Sequence, residues 1–406
     1  MSLTRRLLSF STIPAFSALI PFLILPLLAR AAGEQAWVAI AVGQSVGGFL
    51  ALAVGLGLNV QGPTLVALAA EEERPELFAR GTRARLMLVI PALVIGSAVA
   101  WILAPAGAAG DAALMAVAIT LGGLTSSWYL IGLGRPLPLI GYELLPRAIA
   151  TLIGAVLVVV GGAAWVWTYP TLLITAILGG VGAYALRVVP VRELMTGWAS
   201  SMRFARRQLS AAATETVSGA YTALAVSLVT AGASTAQAAT YVSGDKLWRM
   251  GQTVTGAQGN ALQGWVVEED RAHFGWRARR ALALHIALGV AGFLMFALLG
   301  PWLTAVAFGS DVAIDQPTAI LFGVAVLCMS MSTATGRHVL IALGHPKRVF
   351  ASVVAGAVVG IPTTLALASA FGAVGGAAGL ATAETVVLVV QVAMIVPLWS
   401  ARRARA

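Results

Sequence analysis

The stretch IGLGRP (Ile131–Pro136) returns 210 residues later as IALGHP (Ile341–Pro346). Under the same shift Leu130 falls on Leu340. Matches of single glycines are expected by chance in a chain that contains 44 of them, so the ordered run is what carries weight. Self-similarity at a fixed shift indicates that the chain contains two related halves.

A second match joins the start of the chain to its middle at a shift of 201 residues. RRLLS (Arg5–Ser9) falls on RRQLS (Arg206–Ser210), and Asn59 falls on Asn260. The two matches are collinear, and duplicated halves are typical of membrane transporters. We therefore predict an N-terminal lobe, residues 1–200, and a C-terminal lobe, residues 201–406.

The composition places both halves in a bilayer. Hydrophobic residues make up 59% of the chain and charged residues 10%, and the mean hydropathy is +0.89. That leaves too little polar surface to cover a soluble globule. About twelve apolar runs have the length that crosses roughly 30 Å of hydrocarbon. Their predicted cores are Leu7–Ala29, Trp37–Leu58, Leu86–Ala104, Ala112–Leu133, Ile149–Val166, Leu172–Val189, Ala211–Ala231, Ala238–Asn260, Ala281–Leu299, Ala319–Ser332, Ala351–Ala370 and Ala377–Leu398.

The predicted fold is an all-α integral membrane protein with two lobes of about six transmembrane helices each. An even number of helices gives both lobes the same orientation, so they are related by an axis along the membrane normal. The boundary falls in Val191–Ser210, a basic and partly amphipathic stretch expected at the cytoplasmic interface.

The basic residues predict the topology. With a cytoplasmic N-terminus, all but three of the 26 Lys and Arg residues fall in cytoplasmic loops or tails. The exceptions are Arg30 at the outer end of the first helix, and Lys246 and Arg249 inside the eighth. The positive-inside rule thus places both termini in the cytoplasm. Because the bases are dispersed over short loops, the net charge of +10 reports topology and does not indicate a nucleic-acid partner.

The sequence gives little indication of a function other than transport. The longest outward loop, around Pro301–Pro317, is too short for a catalytic domain. Cys328 stands alone in an apolar run, and no glycine-rich nucleotide loop is present. We predict a protein that is not an enzyme and that uses no cofactor and no metal. The histidines lack metal-ligand spacing: His273, His285, His338 and His345.

The segment YVSGDKLWRMGQ (Tyr241–Gln252) places an acid and two bases inside an apolar run. Asp245 and Arg249, four residues apart, can pair on one helix face, and Lys246 lies at the edge of that face. Each charge near the centre of a membrane helix costs roughly 2.5–3.5 kcal/mol on insertion scales, so this face looks inward. The whole polar stripe comprises Asp245, Arg249, Gln252, Gly256, Gly259, Asn260 and Gln263.

Two interpretations of this stripe remain open. One is a buried structural ion pair with polar contacts between helices. The excess of base and the continuation to Asn260 and Gln263 favour the other, a hydrated cavity that binds substrate.

Three further features could serve transport. Glu215 shares a helix face with Ser218 and Thr222, where it lies either at the cavity or at the membrane interface. Pro14, Pro21 and Pro26 permit bending of the first helix, as a gate requires, although such prolines also occur in static helices. Arg30 either snorkels to headgroups or contacts ligand.

In the first half, the repeat sets Gln44 on Asp245 and Asn59 on Asn260.

Three regions of the chain resemble bacterial polysaccharide flippases, the O-antigen and lipid-linked oligosaccharide transporters of the multidrug/oligosaccharidyl-lipid/polysaccharide (MOP) exporter superfamily. They are LLARAAGEQAWVAIAVGQSVGGFLALAVGLG (Leu27–Gly57), WYLIGLGRPLPLIGYELLPR (Trp128–Arg147) and YVSGDKLWRMGQTVTGAQGNALQGWV (Tyr241–Val266). Order and spacing carry the likeness, which spans nearly the whole chain.

The resemblance implies alternating access through a central cavity in a bacterial cytoplasmic (inner) membrane. The substrate would be an undecaprenyl-pyrophosphate-linked oligosaccharide, and a polysaccharide polymerase and glycosyltransferases would be partners. Lys246 and Arg249 stand where the family places cavity bases, and they suit a diphosphate. Gln44, Asn59, Gln252 and Asn260 would hold the sugar, and protonation of Glu215 or Asp245 would couple an ion gradient.

Two other functions stay open. A multidrug exporter of the same superfamily would need unpaired acids in the membrane, and between Leu7 and Leu58 the first half offers only Glu34. A membrane scaffold for glycan assembly would not transport at all. It predicts that neutralising the stripe leaves glycan export intact.

Overall fold

The computed structural model describes residues 3–267 and 274–403, with side chains for 24–135, 137–263, 265–266 and 274–397. All regular secondary structure in these ranges is helical. The all-α fold predicted from the apolar runs is therefore confirmed.

Long helices correspond to the predicted membrane segments one for one. Leu3–Gly55 leaves helical geometry at Gly33 (φ 78°), and Pro346–Arg403 does so at Gly372 (φ 60°), so each contains two helices. The twelve long helices of the described chain are α1 (3–32), α2 (34–55), α3 (Arg74–Leu103), α4 (Ala109–Leu121), α5 (Leu145–Gly161), α6 (Thr168–Val188), α7 (Trp198–Gly232), α8 (Thr235–Val267), α9 (Phe274–Phe308), α10 (Gln316–Thr333), α11 (346–371) and α12 (373–403).

Short helical segments join the long helices. Two of them are π-helical, Ile140–Leu144 before α5 and Ala334–Ile341 after α10. The others are Leu58–Leu68, Glu71–Glu73, Gly122–Leu124, Ser127–Gly132, Pro136–Leu139, Gly162–Trp165, Val191–Met195 and Ser310–Val312.

Length and composition alone find 8 stretches of the described chain that can cross a membrane. Two of these, Ile24–Leu68 and Pro346–Pro397, contain the helix breaks at Gly33 and Gly372. α7 and α8 are long enough at 35 and 33 residues, but their polar residues keep them out of that set. Exposed polar groups on a membrane helix must contact water or other polar groups.

The helices form two compact units, Met1–Ser227 and Leu228–Ala406. The division falls inside α7, so the first unit holds α1 to α6 and most of α7. The lobe boundary predicted at residue 200 stays a prediction.

The repeated turns of the two units have the same backbone geometry. Gly134 and Gly344 both take left-handed angles, φ 66° and 83°, which favour glycine. Each turn closes with the six-to-one bond of a Schellman motif. The two bonds run from Arg135 N–H to Leu130 O (3.0 Å) and from His345 N–H to Leu340 O (2.8 Å).

The repeat extends to the helix breaks. Gly162 and Gly372, also 210 residues apart, take φ 63° and 60°, and each ends the helix before it. The break at Gly33 has its counterpart 201 residues later, where α7 ends and α8 begins. The shifts of 201 and 210 residues found in the sequence therefore also relate helix ends that lie outside the matching sequence runs.

Two features build the core of the first unit. Gly43 and Gly47 let α2 approach α4 closely, since an added Cβ would lie 2.5 Å from Ala112 O and 2.7 Å from Ala116 O. The cluster around Phe78, which is 0% exposed, fixes the segment that leads into α5. The ring centroid of Phe78 lies 6.2, 4.8 and 5.8 Å from the ring centroids of Trp128, Tyr129 and Tyr184.

Two arginines expected in loops are buried in α3 instead. Arg83 and Arg85 are each 2% exposed. A buried guanidinium needs partners for its donors, and these arginines find them within α3 and on neighbouring segments. The prediction that these bases mark a solvent loop is wrong, although the predicted orientation of the termini is unaffected and stays a prediction. Their acceptors are Ser201 Oγ, the carbonyl of Glu193 and Glu76 Oε1 for Arg83, and the carbonyls of Gly81, Gly123 and Thr125 for Arg85.

Candidate functional site

The charged segment of α8 forms an ion pair with a buried carboxylate in the second unit. Arg249 Nε donates to Asp245 Oδ2 at 2.7 Å, which confirms the predicted pairing. The Asp245 side chain is 0% exposed, whereas that of Arg249 is 30% exposed. In the described chain Asp245 Oδ1 has no hydrogen-bond partner. Because a buried carboxylate is stabilised by its cation, loss of Arg249 would leave the charge of Asp245 buried without its hydrogen-bonded partner.

The other polar residues of α8 divide into buried and accessible ones. Lys246 is only 5% exposed, so it acts on a ligand through its field more than through contact. Gln252 and Asn260 are exposed, and nothing lies within 4 Å of a Cβ built on Gly256. The accessible edge of the stripe therefore runs from Arg249 through Gln252 to Asn260.

A further guanidinium joins this edge. Arg337, in the π-helical segment Ala334–Ile341, donates through Nη1 to Asn260 Oδ1. A Cβ added to Gly259 would approach the Arg337 side chain at 3.4 Å. Sequence reasoning missed Arg337 because it is 77 residues away from Asn260 and was assigned to a loop. No local spacing could have revealed this contact.

Two predicted residues meet in the first unit. Asn59 Nδ2, on Leu58–Leu68, donates to Glu215 Oε1 of α7 at 3.2 Å. Glu215 Oε2 is buried without a hydrogen-bond partner among the described residues. Nearby, Ser45 donates to Ala223 O at 2.6 Å and accepts from Ser227 Oγ at 2.8 Å. These bonds hold α2 and Leu58–Leu68 against α7 between Glu215 and Ser227.

Gln44 and Arg30 lie apart from that contact. Gln44 lines a cavity of about 430 Å³ within the first unit, beside Arg147 and Tyr169. Arg30 is exposed at the end of α1, close to the break at Gly33. The side chains of Pro14 and Pro21 lie outside the described residues, and Pro26 lies within α1, so the gating role stays a prediction.

A histidine pair in the second unit was not expected from the sequence. His285 and His338 are 0% and 1% exposed, with their Nε2 atoms 3.4 Å apart. The Ser330 hydroxyl donates to His285 O at 2.7 Å, so toward His285 Nδ1 at 3.3 Å it can only accept. Neutral His285 then accepts at Nε2 from His338 Nε2–H. His338 Nδ1 is left as a buried acceptor without a partner in the described chain.

The described residues contain no group of three or more side chains that could hold a metal ion. The polar sites described above are built from carboxylate, guanidinium, amide, imidazole and hydroxyl groups. Guanidinium and amide groups bind anions and sugar hydroxyls.

Solved structures with the same fold are transporters of the MOP superfamily. A multidrug resistance MATE family transporter matches with a TM-score of 0.65 at 14% identity, covering 95% of this chain and 94% of its own. The lipid II flippase MurJ matches with a TM-score of 0.71 at 13% identity, covering 95% and 87%. A MOP superfamily transporter from Pyrococcus furiosus, described as having a binding pocket of reverse polarity, matches at 0.56 and 14%, covering 98% and 94%.

The fold thus defines a class, multi-pass helical membrane proteins built like MOP transporters. At these identities the likeness establishes architecture and leaves the substrate to be argued from the site. No protein-family model matches the chain, and no curated protein does.

Proposed function

We propose that this chain is a transporter that moves a polyprenyl-pyrophosphate-linked oligosaccharide, on an undecaprenyl carrier, from the cytoplasmic to the outer leaflet. The fold supports transport, and the lipid II flippase MurJ is one of the proteins that share it. Alternating access in such folds moves helices as rigid groups and needs no bond making.

The proposal rests on the accessible charge on α8, which is positive. The carboxylate of Asp245 is enclosed and engaged, while the guanidinium of Arg249 is partly exposed. Arg337 adds a second guanidinium at Asn260. A pyrophosphate presents several acceptor oxygens to such groups, and planar guanidinium donors pair with them well. The arrangement therefore favours an anionic headgroup over a cation.

The glycan would bind beside the bases. Gln252 and Asn260 are exposed amides on the same stripe, and an amide can both donate to and accept from sugar hydroxyls. Buried Lys246 adds positive potential without direct contact.

Export of organic cations is the second candidate, and one observation favours it. A cleft of about 390 Å³ at the turn between α1 and α2 is lined by Glu34 and Asp111. Against it, Asp245 and Glu215 already accept hydrogen bonds from Arg249 and Asn59. A cation exporter would use the acidic cleft and tolerate neutralisation of the α8 stripe.

The test is leaflet exchange of a fluorescent polyprenyl-pyrophosphate oligosaccharide in proteoliposomes. Arg249→Ala is expected to slow exchange about tenfold or more, because it removes charge-assisted hydrogen bonds worth roughly 1.5–3 kcal/mol. Arg192→Ala is the matched control, since Arg192 is an exposed arginine on the short helix Val191–Met195.

A double variant separates binding from folding. Asp245→Asn with Arg249→Gln removes both charges and keeps side chains of similar shape that can hydrogen-bond. If the ion pair is only structural, this variant exchanges lipid at the wild-type rate, and the proposed site is wrong. If the cation binds pyrophosphate, the variant folds and exchanges lipid about tenfold or more slowly than wild type. Efflux of organic cations by a wild type that moves no lipid would establish the second candidate, and exchange of neither substrate would point to a scaffold.

A further inference from the structure

A cavity inside the first unit is separate from the stripe on α8. It lies between α2, α4, α5 and α6 and has a volume of about 430 Å³, within the usual range for small-molecule sites. Most of its wall is apolar, with Ile119 and Leu173 among the larger side chains. Its polar groups come from Gln44, Arg147, Thr151 and Tyr169.

Arg147 is the unusual member of this wall. Its Nε and Nη2 atoms are buried, and neither has a hydrogen-bond partner in the part of the chain that the structure describes. Leaving buried N–H groups of a guanidinium without hydrogen bonds is costly, so these two nitrogen atoms, which carry three N–H groups, indicate a missing acceptor beside the cavity.

The nearby carboxylate does not fill that role. Glu143 is 5% exposed and interacts electrostatically with both Arg147 and Arg85. However, Glu143 Oε1 accepts the N–H of Ser126. Arg85 has acceptors of its own in main-chain carbonyls. One carboxylate faces two guanidiniums, which leaves an excess positive charge at the Arg147 end of the cavity.

The rest of the wall describes the ligand that would fit. Gln44 and Tyr169 add further polar groups to the wall, where the Tyr169 side chain is hydrogen-bonded to Thr151, and Thr151 in turn donates to Arg147 O at 2.8 Å. Ile119, Leu173 and Ile177 form an apolar end. A volume of this size holds one small molecule and cannot hold a lipid-linked oligosaccharide.

We propose that this cavity binds a small amphipathic anion, whose carboxylate or phosphate group pairs with Arg147 and whose apolar body lies on α4 and α6. The site is independent of the flippase proposal, because it lies within the first unit and its occupancy can be measured without transport. The anionic group could belong to a soluble acid or to the headgroup of a bilayer lipid, which share this chemistry.

The experiment is calorimetric titration of the full-length protein in nanodiscs of neutral phosphatidylcholine, with octyl phosphate as the probe. Wild type is expected to bind saturably, and Arg147→Gln about tenfold or more weakly, because an arginine–phosphate pair is charge-assisted and often bidentate. Arg192→Gln, the same change at an exposed arginine, should match wild type. Octyltrimethylammonium, of equal chain length and opposite charge, should not bind.

A second variant covers the case in which Arg147→Gln does not fold. Ile119→Phe keeps Arg147 and fills the apolar end, so it should block octyl phosphate. Binding by wild type that neither variant weakens, equal binding of octyltrimethylammonium, or no binding of octyl phosphate in neutral nanodiscs would overturn the site.

A third arm identifies the source of the anion. Nanodiscs with phosphatidylglycerol should compete with octyl phosphate if the natural occupant is a lipid headgroup. Undiminished binding in those nanodiscs would assign the cavity to a soluble acid. Both results keep the site, and each names its ligand.

Discussion

Two charged clusters in this protein have the same sequence pattern and different structures. Glu143 and Arg147 in the first unit are four residues apart, as are Asp245 and Arg249 in the second. In the continuous helix α8 the pair forms a 2.7 Å hydrogen bond. Glu143 instead lies in the π-helical segment Ile140–Leu144. A π turn shifts the faces of the helix, so this carboxylate accepts from Ser126 and two donors of Arg147 stay unpaired.

The comparison shows that acid-to-base spacing predicts a pair only where the helix is regular. Each cluster has one buried carboxylate and two bases, yet the partners of the carboxylate decide which base remains available. On α8 the available base is a partly exposed arginine that already has a partner. In the first unit it is a half-buried arginine, and two of its nitrogen atoms have no hydrogen-bond partner among the described residues.

The largest expected effect comes from breaking the α8 pair on one side. Arg249→Ala should lower the free energy of unfolding by about 3 kcal/mol, because it leaves Asp245 buried without its cation. Asp245→Asn with Arg249→Gln should cost clearly less. Denaturant titration followed by tryptophan fluorescence in micelles measures both, and a double variant less stable than Arg249→Ala would contradict the buried-pair account.

Glycine substitution sharpens the comparison of the two repeats. Gly162→Ala should cost about 1 kcal/mol, because φ 63° disfavours a side chain and nothing else lies within 4 Å of the new Cβ. Gly372→Ala should cost about 2 kcal/mol, since its Cβ would lie 2.5 Å from Gln237 Oε1, which accepts the N–H of Ala373. The same denaturant titration ranks the two variants, and equal costs would show that Gln237 moves freely.

Arg147→Met should act in the opposite direction to Arg249→Ala. Without ligand, removal of a guanidinium that has two buried nitrogen atoms without hydrogen bonds should stabilise the first unit by up to about 1 kcal/mol, since Glu143 keeps its bond to Ser126. The midpoint of thermal unfolding in ligand-free nanodiscs provides the measurement. A fall as large as that of Arg249→Ala would mean that Arg147 has a structural partner and that the cavity site is wrong.

The smallest expected effect on stability is at Glu215. Glu215→Gln keeps an acceptor for Asn59, so the free energy of unfolding should change by less than about 0.5 kcal/mol. If Glu215 couples protons to transport, lipid exchange in this variant should lose its response to an imposed pH gradient. An unchanged response would remove Glu215 from the coupling candidates.

The fold and part of the site could be predicted from sequence. Apolar runs fixed the helix count because the length of a membrane helix is set by the bilayer. The repeat was visible because glycines with left-handed φ tolerate few substitutions, as at Gly134 and Gly344. The Asp245–Arg249 pair followed from regular helical spacing.

Other contacts were beyond prediction because they depend on distant residues or on irregular backbone. His285 meets His338 across 53 residues, and Arg337 meets Asn260 across 77. The repeat set Gln44 on Asp245, yet Gln44 lines the cavity beside Arg147. Arg147 itself was assigned to a cytoplasmic loop, because no sequence pattern predicts the π-helical segment before α5.

The most direct test of the central claim is the rate at which wild-type protein in proteoliposomes exchanges a fluorescent polyprenyl-pyrophosphate oligosaccharide between leaflets, measured beside the Asp245→Asn, Arg249→Gln double variant. The account predicts rapid exchange by wild type and by Arg192→Ala, and exchange that is about tenfold or more slower by the folded double variant. Wild-type exchange by the double variant, or no exchange by wild type, would contradict it.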